Sequence, residues 1–237
     1  MIRAILFGVV ALAAGAAHAS TTIFLDRCAA GCTYTAGVDD SRQNRSSVVS
    51  QERALPAFAY SDASWNALVA CVQDKFAPFD DTQVTDVDPG DVDHLEIAVA
   101  GWPEQLGLPA GIENVAPFTC AGDRVVANGI GFAFADLIGD LPDVLCWYAA
   151  QAAGTLLGLD HVRVAGDVMT VEGGYLPKRF LDETGDCGES QPRACQCGGT
   201  TQNSYRTLGE TLPEPGALAG AAGALAALAL LARRRSA

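Results

Sequence analysis

Eight cysteines constrain this chain more than any other feature. They stand at Cys28, Cys32, Cys71, Cys120, Cys146, Cys187, Cys195 and Cys197 of a 237-residue sequence. An even count in an exported chain predicts up to four disulfides. Bridges of that kind let a backbone carry long irregular stretches. The spacings of Cys28 to Cys32 and of Cys187 to Cys197 suit local bridges, and Cys71 suits a bridge to a neighbouring element. Cys28-x3-Cys32 and Cys195-x-Cys197 could also be read as ligands of a zinc cluster. Spacing does not choose among the remaining pairings.

The two termini decide the compartment in which those cysteines meet oxidant. Residues 1–19 place a cation, Arg3, before an apolar run from Ala4 to Ala14 and the small-residue end Ala17-His18-Ala19. This is the form of a secretory signal peptide, cut before Ser20. At the other end, Pro213-Glu214-Pro215-Gly216 precedes an uncharged apolar run of about 17 residues and then Arg233-Arg234-Arg235. Such a run is at the short limit for crossing a bilayer, and the arginines would hold its end in the cytoplasm. The order of Pro-Glu-Pro, apolar helix and arginine cluster resembles the PEP-CTERM sorting tail of Gram-negative bacteria. That resemblance implies a sorting protease of exosortase type as partner and membrane contact through residues 213–237 before processing. It also implies a final place at the cell surface or outside the cell. A plain C-terminal anchor is the alternative, and it too puts the domain outside the cytoplasm.

The domain between these segments, residues 20–212, is acidic. It has 11 basic and 27 acidic residues, a net charge of −16. That balance argues against nucleic acid and anionic membrane surfaces as partners, because both would repel it. It suits a solvated surface and leaves cationic partners open.

Thr21 to Asp26 alternates and is β-branched, which predicts a first strand. Residues 29–50 lack periodicity and read as a long loop tied by cysteines. Trp65, Leu68, Val69, Val72 and Phe76 make one apolar face of a helix over 61–76, capped by Ser61 or Asp62 and stopped by Pro78. Strands follow at 83–87 and 94–100 around the turn Asp88-Pro89-Gly90-Asp91. In the second of these, Leu95, Ile97 and Val99 alternate with Glu96 and Ala98. A short edge strand is predicted within 112–118, where Pro117 excludes a central place. Residues 125–135 form one more strand, with Phe132 and Phe134 on one face. A second helix starts at Asp140-Leu141-Pro142 and ends at Gly158, a residue suited to the left-handed position after a helix. A short helix over 202–212 closes the domain.

Within this order, residues 146–170 carry the most specific signal. Gly158-Leu159-Asp160-His161, then Asp167-Val168-Met169, resembles the second half of the metzincin zinc-protease motif of the matrixin type, H-E-x-x-H-x-x-G-x-x-H with its Met-turn. The resemblance implies an α+β fold over roughly 21–212. Its parts are a twisted mixed sheet of about five strands packed on two long helices, the Met-turn and a short C-terminal helix. It assigns His161 to the third zinc ligand and Met169 to the Met-turn. The same alignment puts Gln151 and Thr155 at the two helical ligand positions and Ala152 at the general base.

A catalytic zinc needs three protein ligands and an open site for water, and the base takes that water's proton. A neutral amide and a neutral hydroxyl are poor zinc donors, and an alanine accepts no proton. His18 leaves with the signal peptide, and His94, which reads as an ordinary surface or strand-end residue, offers no facial triad. The expectation is a secreted, surface-sorted, matrixin-like protein with no cofactor and no catalytic residue. Its role would be structural or in binding a peptide or surface component. The alternatives are an active zinc metalloendopeptidase with atypical ligands, with zinc as cofactor in that case alone, and an envelope or extracellular-matrix structural protein.

Overall fold

The computed structural model describes residues 21–172 and 177–212. Residues 1–19 and 213–237, read above as a signal peptide and a sorting tail, lie outside the described residues. β1 (Thr21–Asp26) sends Ile23 and Leu25 to one face and Phe24 and Asp26 to the other, as strand geometry requires. Residues 29–50, read as a loop, instead supply two of the three strands of a small second sheet. It is made of β2 (Cys32–Ala36), β3 (Arg45–Ser46) and β4 (Arg53–Leu55), in the order β3-β2-β4. Its strands are two to five residues long, too short to show an alternation that sequence reading could detect.

α1 (Asp62–Phe76) follows, with Ser61 Oγ accepting from Ser64 N at its start. Then come β5 (Thr82–Thr85), β6 (Leu95–Val99), β7 (Asn114–Val115) and β8 (Ile130–Ala133). They complete a five-stranded mixed sheet in the order β5-β1-β6-β8-β7. All its pairings are parallel except that of β7, the antiparallel edge strand. The strand predicted over 125–135 is confined to β8, because its remaining residues turn away. Val126 N donates to Leu156 O, and Phe134 already caps α2 (Ala135–Ile138). α3 (Pro142–Leu156), the antiparallel pair β9 (Thr184–Asp186) and β10 (Thr201–Asn203), and α4 (Ser204–Thr211) finish the domain.

The sheet is covered on both faces, and this explains β6. Ile23, Leu25, Leu95, Ile97 and Val99 pack with Leu68 and Val72 of α1 and Leu145 and Leu156 of α3 in one core. Ala98, Ile130, Phe132 and Phe134 pack with Tyr34, Val49 and Leu55 in a second core, beneath the small sheet. Every residue of β6 is therefore buried, Glu96 included. His94 opens β6 as a strand-end residue, but it is buried, with its ring edge-on to Phe24.

All eight cysteines are bridged: Cys28–Cys32, Cys71–Cys146, Cys120–Cys197 and Cys187–Cys195. Two are the short local bridges that the spacing suggests. Cys71–Cys146 ties α1 to α3 within the larger core. Four bridges are what a chain folded in an oxidising, exported compartment carries. Among the described residues, no helix is long and apolar enough to cross a membrane.

Candidate functional site

The site is built on the second half of α3. Leu157 caps the helix, and Gly158 follows with φ +82. Leu159 N donates to Gly154 O and Gly158 N to Thr155 O, the paired bonds of a Schellman turn. A β-carbon at Gly158 would meet Arg124 Cβ at 2.6 Å and Arg124 O at 2.9 Å, so both its backbone angle and its surroundings demand glycine. The turn reverses the chain into Asp160-His161 and a loop closed where Val162 N donates to Met169 O.

Asp167 holds this loop from within. Its Oδ1 accepts from Met169 N at 2.8 Å and Ser204 Oγ at 2.9 Å, and its Oδ2 accepts from Leu181 N at 3.0 Å. Burial pushes this carboxyl up, against the pull of those donors. Met169 is fully buried against α3, where a β-carbon on Gly154 would come within 2.7 Å of its Sδ.

Gln151 is the centre of the arrangement. It is 2% exposed. Its Oε1 accepts from Asn114 Nδ2 of the edge strand β7 at 2.7 Å. Its Nε2 donates to Val168 O at 3.0 Å and Thr170 O at 3.1 Å, one carbonyl on either side of Met169. Each end of the amide is thus engaged, and one side chain joins helix, edge strand and methionine loop. Asn114 Nδ2 also donates to Tyr148 O, and Trp147 Nε1 donates to Val168 O. Beside them Lys178 is buried, with Nζ 4.0 Å over the Trp147 ring and bonded to Glu172 O. Burial pulls this amine below its ordinary range, and Asp167 opposes that.

The other positions face other partners. Thr155 Oγ1 donates to Gln151 O of its own helix at 3.1 Å. Ala152 is buried, and a β-carbon on Gly131 of β8 would lie 3.2 Å from its methyl. His161 Nδ1 lies 3.0 Å from Glu189 Oε1, in the loop closed by Cys187–Cys195. Among the hydrogen bonds of the described residues, none joins the side chains of Gln151, Thr155 and His161 to one another.

No family model, curated protein or solved structure matches this chain. Its chemistry therefore rests on its own geometry.

Asp160, beside His161, anchors the Cys187–Cys195 loop. It accepts from Arg193 Nη1 and Nη2 at 2.7 and 2.6 Å, from Gln196 N at 2.7 Å and from His161 N at 2.7 Å. Burial opposes ionisation here, but these donors outweigh it and hold the carboxyl at about 2. Arg193 and then His161 hold Glu189 at about 2 as well. On the far side of Gly158 a cavity of about 140 Å³ opens among Phe118, Arg124, Asp160 and Gln202. That volume is below the roughly 300 Å³ at which small-molecule sites begin.

Two groups of three His, Cys, Asp or Glu ligand atoms converge among the described residues: Asp26 with Cys28 and Cys32, and Asp160 with Cys187 and Cys195. In each, both sulfurs belong to one disulfide. Sequence reasoning singled out Gln151, Thr155, His161 and Met169 through a spacing rule. It missed Asn114, Trp147, Lys178, Glu189 and Arg193. The side-chain partners of Gln151 and His161 lie 37 and 28 residues away, in Asn114 and Glu189, and no periodic signal links them.

Proposed function

We propose that this is an exported, matrixin-like protein that has exchanged zinc catalysis for a binding or structural role. The observation that carries the reading is the saturation of Gln151. At the position where the family holds its first ligand, the amide is spent on Asn114, Val168 and Thr170. A metal at that point would have to break bonds that brace the methionine loop. The family likeness is supported by the order of elements from β1 through α3, the left-handed Gly158, and Met169 packed beneath the helix. The Pro-Glu-Pro tail supports delivery to a Gram-negative cell surface, with a sorting protease as partner.

The test is metal and activity together. Purified protein titrated with Zn²⁺ should hold none stoichiometrically and hydrolyse no peptide. Stoichiometric zinc with chelator-sensitive hydrolysis would establish an active metalloendopeptidase in its place. The triple change Gln151→His, Ala152→Glu and Thr155→His should recover zinc binding through His161. A folded triple variant that binds no zinc would detach the family likeness from the function and favour a purely structural envelope or matrix role.

A further inference from the structure

The cavity beyond Gly158 holds donors that the fold leaves unused. Its volume of about 140 Å³ is too small for a drug-sized molecule but admits a carboxylate on a short apolar stem. Most of its polar lining is already spent. Gln202 Oε1 accepts from Asp160 N at 2.9 Å, and Gln202 Nε2 donates to Asp160 O at 2.8 Å. Asn203 Oδ1 accepts from Arg206 N, and its Nδ2 donates to Asp182. Both carboxylate oxygens of Asp160 accept from Arg193. Three polar side chains of the lining remain: Arg124, Thr201 and Thr207. Among the described residues, their guanidinium and hydroxyl groups take no hydrogen-bond or ion-pair partner. Arg124 stands apart from Arg27, Arg42, Arg163, Arg179 and Arg206, each of which pairs with a carboxylate in this acidic domain.

The surrounding elements fix Arg124 in place. Its backbone lies in the left-handed region at φ +67, which is uncommon for a long side chain. Its N donates to Ala121 O at 2.9 Å. Gly158 packs directly on it, and only a residue without a β-carbon leaves room there for Arg124 Cβ. The Cys120–Cys197 bridge ties this loop to the segment that brings Gly198 and Thr201 to the cavity. The first turn of α4, with Thr207, forms another wall, and the positive end of a helix dipole favours an anion. Half-buried Phe118 supplies an apolar wall. Arg124 and Thr201 are exposed, so a ligand reaches them from solvent.

We infer that this cavity binds a monocarboxylate, carried by a short-chain free acid or by the C-terminus of a peptide. The reading is independent of the one given for the α3 site. The planar guanidinium of Arg124 takes both carboxylate oxygens in a fork. The hydroxyls of Thr201 and Thr207 donate to the same oxygens, and the apolar stem lies along Phe118. Charge selects the ligand. Arg124 supplies one positive charge, and Arg193 has none to spare, because it already serves Asp160 and Glu189. A dianion such as phosphate would bring a second negative charge beside Asp160 with no cation to meet it.

The experiment titrates the oxidised, folded, ¹⁵N-labelled protein with sodium propionate at low ionic strength. The Arg124 Nε–H resonance and the backbone amides of Gly198 and Thr201 should shift saturably, with a millimolar midpoint. Propionamide, the neutral isostere, should move none of them, and inorganic phosphate should bind more weakly than propionate. Arg124→Gln, read on the two backbone amides, should weaken propionate binding about tenfold or more. Arg124→Lys keeps the charge but loses the fork, and should recover only part of that loss. Arg124 has no partner to lose, so both variants should keep the wild-type thermal midpoint. Thr207→Val should weaken binding a few-fold. Trialanine and its C-terminal amide separate the two sources. Tighter binding than propionate that amidation abolishes assigns a chain end, and binding no tighter than propionate assigns a free acid. The absence of a saturable shift with propionate would overturn the assignment. Unchanged affinity in Arg124→Gln, or tighter binding of phosphate, would do the same.

Discussion

Replacing Gln151 with Leu keeps the side-chain volume and removes three hydrogen bonds, of 2.7, 3.0 and 3.1 Å. At a net contribution of about 1 kcal/mol each, the loss is about 3 kcal/mol. The partners adjust the figure. Asn114 Nδ2 keeps Tyr148 O, and Val168 O keeps Trp147 Nε1. Thr170 O keeps no donor in the hydrogen-bond network of the described residues, and an orphaned buried carbonyl costs about 1–3 kcal/mol by itself. The expected destabilisation is therefore about 2–4 kcal/mol, without a cavity term. Equilibrium urea unfolding of the oxidised protein measures it. With a slope of about 2–3 kcal/mol per M, the midpoint should drop by roughly 1 M. Asn114→Ala, combined with the first change, should give a coupling energy of about 1 kcal/mol. A loss below about 0.5 kcal/mol with no coupling would mean that Gln151 is not the brace described here, and the argument against a metal at that position would fail with it.

Three further outcomes follow from the same structure. Gly158→Ala forces a β-carbon to within 2.9 Å of a backbone oxygen at φ +82, and should cost upward of about 2 kcal/mol, read as a lowered thermal midpoint. Burial raises Glu96 to about 8, so its contribution to stability is fully present below its ordinary value of 4.5 and is lost as pH rises towards 8. Over that window about 5 kcal/mol should disappear, and Glu96→Gln, which still accepts from Tyr34, should flatten the profile in urea titrations at pH 5 and 9. Opening Cys71–Cys146, which spans 75 residues, should cost about 4.5 kcal/mol of chain entropy, against about 2 for Cys28–Cys32, which spans four. Paired Cys→Ser variants compared by calorimetry check that ranking.

Both domain cores show how far residue patterns reach. The face of α1 is legible because Trp65, Leu68, Val69, Val72 and Phe76 repeat at helical spacing, and those residues are the ones buried. β1, the Ser61 cap, the edge position of β7 and the reversal at Gly158 are legible for similar reasons. Glu96 is not. In an alternating strand it reads as the solvent side, but Tyr34, 62 residues earlier in the chain, covers it from a second sheet. The small strands β2 to β4 leave no period to detect, and their stability comes from what they cover.

Residues 146–170 divide along the same line. Their sequence by itself determines that a helix ends at a left-handed glycine, and that positions 151 and 155 hold an amide and a hydroxyl. These are local matters of backbone angle and side-chain chemistry. Only the tertiary structure decides that Gln151 braces the helix against β7 through Asn114, that His161 pairs with Glu189, and that Asp160 grips a disulfide loop through Arg193. The bonds Gln151–Asn114, His161–Glu189 and Asp160–Arg193 each join residues 28 or more positions apart. Their formation depends on how the sheet, the helix and the bridged loops bring distant segments together, which no local spacing encodes.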